Sequence, residues 1–392
     1  MKNFWYNCWK TLGLGLLACS GLQASDVKVY GFVLPTWTAA SSGVESFSQP
    51  NMGAYTAAGN PAMATLATDV RSSFQVAQSR IGANFQVDPK AKANLEFDFI
   101  DFTKASPTTG AMPRVRRAFA EYGVSDNLLL RFGQDWDIVS PSAPFSYNYV
   151  GHYFESGDIG FMRIQAQAFL TTGNVEHAIA LGLPGNNNAA ADSGLELTVM
   201  PTLAVRETWK LADGGQVGVS ALGTVIRLSK TTYDRAFAGA VTGFFQTPST
   251  GKFEVHAEAY LGQNTNNLGM LGLGFANTSS PNVQEAGAYV SAKYHLSETL
   301  GIFGGIGGSW VLNPSGMPAS YTRTPTLALN SSGPGIESNL TLRGGLDYAL
   351  MKGAFVFGEV GGLVTRHHLL AGDVMDPNAA AVIVQVGTQL SI

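Results

Sequence analysis

Three features of the sequence predict an all-β, transmembrane antiparallel β-barrel of sixteen strands: two-residue alternation of apolar and polar side chains, connections that are short and long by turns, and an amino-terminal export segment. Charge is sparse, at 13% of 392 residues, and glycine is abundant, at 46, where an average soluble domain carries about 25% charged residues and ~7% glycine. With 45% hydrophobic residues and a formal charge of −4, the chain fits neither intrinsic disorder nor a nucleic-acid partner. A mean hydropathy of +0.08 excludes a helical membrane bundle. Apolar residues spread thinly by alternation fit an outer-membrane barrel or a large soluble β-protein.

The export segment comes first. Lys2 and Lys10, an apolar run from Leu12 to Ala18 and small residues up to Ala24 read as a secretory signal peptide over 1–24, cleaved before Ser25. A rival reading takes Leu16-Leu17-Ala18-Cys19 as a lipoprotein processing site that lipidates Cys19. Cleavage after Ala24 removes both cysteines, Cys8 and Cys19, so disulfides and thiolate chemistry are excluded. It also removes two lysines, taking the formal charge from −4 to −6. No later stretch reaches the roughly 18 apolar residues of a membrane helix, so 25–392 reads as one barrel domain.

Strands are expected at 28–38, 74–87, 91–102, 114–124, 128–136, 158–170, 174–183, 201–210, 216–228, 236–246, 252–263, 283–295, 300–311, 338–349, 353–364 and 380–392. The second shows the pattern: Ala77, Ser79, Ile81, Ala83, Phe85 and Val87 alternate with Gln78, Arg80, Gly82, Asn84 and Gln86. After Asp88-Pro89 the third repeats it, with Ala93, Leu95, Phe97 and Phe99 against Asn94, Glu96 and Asp98. Phe253 to Leu261 divides apolar residues from Glu254, His256, Glu258 and Tyr260, and Leu340 to Tyr348 from Asn339, Thr341, Arg343 and Asp347. A soluble sandwich also alternates, so the connections decide. Tight links at 87–90, 125–127, 211–216, 247–251 and 297–299 alternate with long ones at 39–70, 137–157, 184–200, 264–282, 312–337 and 365–378, the signature of an outer-membrane barrel. The glycine-rich Phe303-Gly304-Gly305-Ile306-Gly307-Gly308 is the weakest strand.

Five stretches carry a resemblance: Val29-Tyr30-Gly31-Phe32, Gln78-Ser79-Arg80-Ile81-Gly82, Arg117-Ala118-Phe119-Ala120-Glu121, Arg131-Phe132-Gly133-Gln134-Asp135-Trp136 and Pro201-Thr202-Leu203-Ala204-Val205-Arg206. On these the chain resembles the DcaP-like trimeric group of Gram-negative general porins; the second half matches only in pattern. The resemblance implies a sixteen-stranded barrel, a homotrimer in the outer membrane and a third loop, about 137–157, folded into the lumen. Barrels of that group usually end in phenylalanine, whereas this chain ends Gln389-Leu390-Ser391-Ile392. The alternation through Val382, Val384, Val386, Leu390 and Ile392 nonetheless survives.

Carried through the first six strands, the alternation sets Arg80, Arg117, Arg131 and Arg163 towards the lumen with Glu96, Asp98 and Glu121. A lipid-facing Arg or Lys costs about 2–4 kcal/mol at the midplane, which favours the inward direction. Carboxylates on the inserted loop, with Asp135, Asp137, Glu155 and Asp158 as candidates, would set a transverse field across a water-filled constriction. Such a constriction selects ions by charge and width, with no chemistry on the solute. The surplus of arginine suggests anionic solutes, and the resemblance points to small carboxylates. In the competing reading these arginines pair with neighbouring acids and hold the wall together; one ladder can do both.

Tyr122, Trp136, Trp209, Tyr289, Tyr294 and Tyr348 lie near strand ends, where interfacial girdles are expected. The small outward Ala118 and Ala120 suit a trimer contact. His152, His177, His256, His295, His367 and His368 have no metal-ligand spacing, so no metal or other cofactor is expected. Gly218 to Gly223 lacks the G-x-S-x-G spacing, and Gly269 to Gly274 precedes no helix, so neither is a catalytic or phosphate-binding motif. The expected partners are small hydrophilic solutes and ions, outer-membrane lipid and further copies of the chain. The alternatives are an outer-membrane hydrolase, for which His256 near Glu254 and Glu258 is the only hint, and a surface adhesin or structural barrel.

Overall fold

A computed structural model describes residues 26–42, 44, 70–100, 113–149, 153–183, 200–228, 234–249, 251–317, 321–323, 331–333, 335–368 and 378–392. The export segment lies outside these. The strands, in chain order, are β1 (Asp26–Val33), β2 (Thr36–Ala40), β3 (Arg71–Gln75), β4 (Arg80–Gln86), β5 (Ala91–Asp98), β6 (Arg114–Gly123), β7 (Leu128–Trp136), β8 (Met162–Thr172), β9 (Val175–Gly182) and β10 (Thr202–Lys210). They continue with β11 (Gln216–Arg227), β12 (Arg235–Gln246), β13 (Phe253–Gln263), β14 (Gln284–His295), β15 (Leu300–Val311), β16 (Tyr321–Arg323), β17 (Ser331–Gly333), β18 (Ile336–Met351), β19 (Ala354–His367) and β20 (Asn378–Ser391).

All but β16 and β17 form one antiparallel sheet that closes on itself. β20 pairs with β2, Gly387 opposite Thr36, and with β1, Ser391 opposite Phe32. The aliphatic C-terminus takes part in this seam, since the Ile392 amide donates to the Gly31 carbonyl at 2.9 Å. Closure satisfies every edge, and sixteen staves leave a lumen wide enough for water. There are sixteen because β1 with β2, and β3 with β4, are each one stave broken in the middle. The expected spans 28–38 and 74–87 are therefore corrected. Pro35 has no amide hydrogen to continue a ladder, and the Leu34 amide donates instead to Ser79 Oγ at 3.0 Å. The matching break, closed by Ser79 N–H to the Val76 carbonyl, buries Gln78 and Ser79. The other staves follow expectation closely, with β5 ending at Asp98 rather than 102 and β8 starting at Met162 rather than 158. The hairpin of β16 and β17 inside the 312–337 connection went unforeseen.

One end of the barrel carries the tight turns. Gly173 (φ 62°) and Gly353 (φ 79°) supply the left-handed backbone of two of them, and Asp88 accepts from the Lys90 and Ala91 amides at 2.6 and 2.9 Å in a third. Outward positions are apolar and bare, among them Phe132, Leu261 and Leu342, while inward ones such as Asp98, Asn339 and Thr341 are fully covered. An exposed apolar wall around a polar interior needs hydrocarbon outside it, so this barrel spans a membrane. Tyr122, Trp209 and Tyr348 face outward near the tight-turn end, as a girdle requires. Trp136 and Tyr289 do not: Tyr289 is buried against Tyr153 and Trp136 stacks under Arg116 inside the lumen, which corrects their assignment to a girdle.

Candidate functional site

The site begins with a β-bulge. Between β5 and β6 the register slips, so Glu96 lies opposite Arg117 while Asp98 lies opposite Arg114. The extra residue lets Arg116 and Arg117, adjacent in sequence, both reach the lumen while Val115 stays outside. Arg114 Nε lies 2.9 Å from Asp98 Oδ1, Arg116 pairs with Glu96, and Arg117 Nε is 2.6 Å from Asp135 Oδ1. Arg131 on β7 bridges Glu121 at 3.0 Å and Asp135 at 2.6 Å. The Phe119 ring lies between Arg117 and Arg131, their guanidinium carbons 5.0 and 4.4 Å from its centroid. Arg206 on β10 adds another rung, paired with Glu176 at 2.6 Å.

Arg80 is different. Among the described residues it makes no ion pair; its guanidinium sits 5.4 Å from the Phe32 ring and 5.0 Å from the Tyr149 ring, and its buried Nε has no hydrogen-bond partner.

The third loop, described over 137–149 and 153–161, lies across the lumen in front of this wall. At its root Asp137 accepts from the Val139 amide at 3.1 Å and from Arg163 at 3.3 Å. Ser140 Oγ lies 3.2 Å from Asp158 Oδ1 and also contacts the Glu258 carboxylate on β13. Further along, His256 Nδ1 meets the Ala143 carbonyl at 2.6 Å and the Phe145 amide donates to Ser291 Oγ at 2.8 Å. At the tip, the Ser146 hydroxyl and the Tyr147 amide donate to Glu359 on β19 at 3.0 and 3.1 Å, and Tyr147 stacks on Phe357 at 4.3 Å. The stave break places Gln78 to accept from the Tyr149 amide and donate to Asn148, both at 2.7 Å. A second loop, 264–283, packs Leu268 and Met270 against Ile138, Val139 and Ile159, fixing the root from behind.

Between wall and loop lies a cavity of about 440 Å³. Five arginines line it, at 80, 116, 117, 131 and 206, against three aspartates, Asp135, Asp137 and Asp158. The loop presents mainly Ser140 to Pro144, Asn148, Tyr149 and Tyr153. Burial raises the Asp158 carboxyl to about 7, with neighbouring Asp137 adding to the shift. Burial likewise raises the Tyr149 phenol to about 12 although Arg80 beside it pulls the other way.

Of the residues singled out in the sequence, Arg80, Arg117, Arg131, Asp135, Asp137 and Asp158 meet at this cavity. Glu96, Asp98 and Glu121 stand behind it as partners of Arg116, Arg114 and Arg131. Asp135 lies on β7 rather than on the loop, and it interleaves with the arginines instead of opposing them. Arg163 is buried beside the loop root, donating to the Leu183 and Leu268 carbonyls, and Glu155 is buried (φ 58°) with its amide on the Leu271 carbonyl; neither lines the cavity. Arg114, Arg116 and Arg206 were missed. The signal for Arg116 was present: two adjacent arginines cannot both avoid lipid unless the strand bulges.

The hint of a hydrolase does not assemble. His256 stacks on Phe145 at 4.4 Å, Glu254 is taken by His295 at 2.6 Å, and Glu258 is engaged by Ser140, so among the described residues no triad forms around His256. Among the described residues no group of His, Cys, Asp and Glu could hold a metal ion.

Neither a family model nor a curated protein sequence matches the chain. Solved structures do. The outer-membrane channel DcaP of Acinetobacter baumannii is 15% identical with a TM-score of 0.69, covering 94% of this chain and 97% of its own. The anion-selective porin from Comamonas acidovorans is 9% identical at a TM-score of 0.59, covering 94% and 99%. OmpT of Vibrio cholerae in its trimer form is 12% identical at 0.55, covering 94% and 100%. A closed barrel of sixteen staves, a lumen-crossing third loop and an apolar outer wall thus make this the fold of the Gram-negative outer-membrane porins.

Proposed function

We propose that the chain is a porin that passes small hydrophilic solutes and ions passively between the third loop and the arginine wall, favouring small anions such as carboxylates. The observation that carries this is the cavity lining, five arginines against three aspartates, with Arg80, among the described residues, in no ion pair. A guanidinium held by ring faces keeps its donors for a passing anion. The aspartates that hold Arg117 and Arg131 also keep the ladder upright, so wall cohesion and selectivity share the same side chains. We further propose a homotrimer with its contact along the outward Ala118 and Ala120 of β6, a reading supported by the trimer form of the Vibrio cholerae protein. Single-channel recording in a planar bilayer under a salt gradient tests both. Openings in threes and an anion-side reversal potential are expected, and Arg80→Ala should move that potential towards cations. A folded, heat-modifiable barrel that never conducts would overturn the proposal.

A further inference from the structure

The inner wall of the barrel is not polar all round. Inward positions of β9 to β12 include Ala178, Ala204, Leu222, Ile226, Ala238 and Ala240, all buried in one apolar cluster, whereas a barrel wall that faces a water-filled channel is polar. What covers them is the second loop, 264–283: its Leu268, Met270 and Ala276 join that cluster together with Ile138, Val139 and Ile159 of the third loop. With the porin reading above as its basis, we propose that the second loop is a further pore-forming element, which fills the β9–β12 side of the lumen and is latched there by the Glu285 carboxylate. A residue outside the arginine-lined cavity then sets conductance and anion preference.

Glu285 is the first inward residue of β14 and is fully buried. Its carboxylate accepts from the Leu273 amide at 2.5 Å and contacts the Thr265 hydroxyl, so one side chain holds both ends of the turn that runs from 265 to 273. Gly272 makes the approach possible, since an added Cβ there would lie 2.0 Å from Thr265 Oγ1 and 2.5 Å from Glu285 Oε1. The glycines of 269–274, which fit no phosphate-binding motif, thus find their use in this latch. From it the contacts run on to the third loop. The Tyr260 hydroxyl stands 3.4 Å from Glu285 and 3.0 Å from Ser309 Oγ, and that Ser309 oxygen accepts from the Gly157 amide at 2.9 Å. The backbones also meet directly: the Leu271 amide donates to the Ile159 carbonyl at 3.1 Å, and the Glu155 amide to the Leu271 carbonyl at 2.9 Å. A buried amide that loses its acceptor is costly to keep from water, so removal of the carboxylate releases the turn. The third loop has the cavity in front and the second loop behind. Once the second loop lifts, water enters along alanine and leucine, and ions bypass the arginines.

Single-channel recording and hydrogen exchange of the folded full chain test the latch together. Glu285→Ala should raise the conductance about twofold as the second path opens, and bring the reversal potential under a salt gradient towards zero. Glu285→Gln, whose carbonyl oxygen can take the Leu273 amide while its amide nitrogen donates to the Thr265 hydroxyl, should keep the wild-type values, which separates latching from charge. Gly272→Ala, which crowds the carboxylate out and leaves its charge in place, should act like Glu285→Ala. Heat-modifiability shows that each variant is folded. Exchange of the Leu271 and Leu273 amides, slow in the wild type and in Glu285→Gln, should quicken about tenfold or more in Glu285→Ala and Gly272→Ala. Wild-type conductance in both of these variants, amides that stay protected in both, or a Glu285→Gln channel as wide as that of Glu285→Ala would overturn the proposal. A wild type that never conducts would instead sink the porin reading, and amide exchange would then decide by itself whether Glu285 holds the loop.

Discussion

Docking of the third loop should be tightened by acid, and the reason lies in one hydroxyl. Ser140 Oγ has a single hydrogen and two carboxylates in reach, Asp158 at 3.2 Å and Glu258. With both acids ionised, one of the two contacts sets lone pair against lone pair; a proton kept on either carboxyl repairs it. The surroundings favour keeping it. Among the described residues Asp137 and Tyr289 are the other titratable groups that bear on the pair, and the compensation at Asp158 besides Ser140 is the Gly160 amide at 3.2 Å. Burial thus moves the Asp158 carboxyl from 3.8 to about 7, which corresponds to about 4 kcal/mol against its ionised form in the docked loop. The sign follows from proton counting. Between those values the docked loop holds a proton that a loop released into water does not, so docking is strongest at low pH and weakens as pH rises, by up to about tenfold per pH unit, levelling off above about 7. Hydrogen exchange of the Val139, Ser140 and Gly160 amides, normalised to intrinsic rates at each pH, reads this directly. Asp158→Asn, whose uncharged amide can accept from Ser140 at any pH, should flatten the profile. Protection that stays constant or rises from pH 4 to 7, or an Asp158→Asn variant that keeps the wild-type slope, would refute the reasoning.

Three further outcomes are expected. Gly133→Ala should abolish the heat-modifiable barrel, since Gly133 has φ 134° and an added Cβ would lie 2.2 Å from the Ala118 carbonyl oxygen and 2.6 Å from the Phe119 Cα, neither able to yield; Gly362→Ala, with nothing within 4 Å, should fold normally in the same gel assay. Among the described residues Arg116→Ala leaves the buried Glu96 carboxylate with only the Tyr30 hydroxyl, 3.0 Å away, and should cost about 3–5 kcal/mol in reversible urea unfolding into micelles; adding Glu96→Gln should recover most of it, and a double variant no more stable than the single one would count against the pairing. The anion preference should fall between 0.1 and 1 M salt, as the screening length shrinks from about 10 to about 3 Å; a reversal potential indifferent to ionic strength at fixed gradient ratio would mean that width alone selects.

The sixteen staves were legible because a half-buried strand repeats every second residue and a one-residue slip would turn every apolar side chain inward. Leu261, Leu342 and Phe132 face out and Glu258, Arg343 and Asp98 face in, as that repeat requires. Where the repeat breaks, strict alternation misleads. Pro35 gave a visible warning of the first break, yet the matching break at 76–79 has no proline and is a response to its neighbour across the ladder. The bulge at Glu96 hid Arg116, because alternation from Arg117 sends it outward. The third loop illustrates a different limit. Its inward course depends on acceptors far along the chain, Glu258, Ser291 and Glu359, and on the glutamine turned inward at 78. No local pattern encodes such contacts, which is why Asp135 and Glu155 were grouped with a loop face that Ser140, Pro141 and Tyr149 occupy instead.

The chain carries a formal charge of −4, and yet the cavity between its third loop and the wall is lined by more arginine than aspartate. The two facts are compatible because the acids near the cavity are engaged in holding structure. Glu96, Asp98, Glu121 and Glu176 each anchor an arginine from behind, and Glu359 and Glu258 hold the loop. Of the three aspartates that do line the cavity, Asp135 is shared between Arg117 and Arg131, Asp137 is tied to Arg163, and Asp158 keeps its proton to about 7. A passing anion thus meets cations whose counter-charges lie to the side or behind them, together with Arg80, which among the described residues makes no ion pair and has Glu96 and Asp98 only as more distant counter-charges. Net charge is a sum over the whole chain, whereas selectivity follows from which carboxylates are left facing the water. Lowering the pH through 7 should therefore act twice in the same direction, since the proton taken up near Ser140 both tightens the loop and removes negative charge from the cavity.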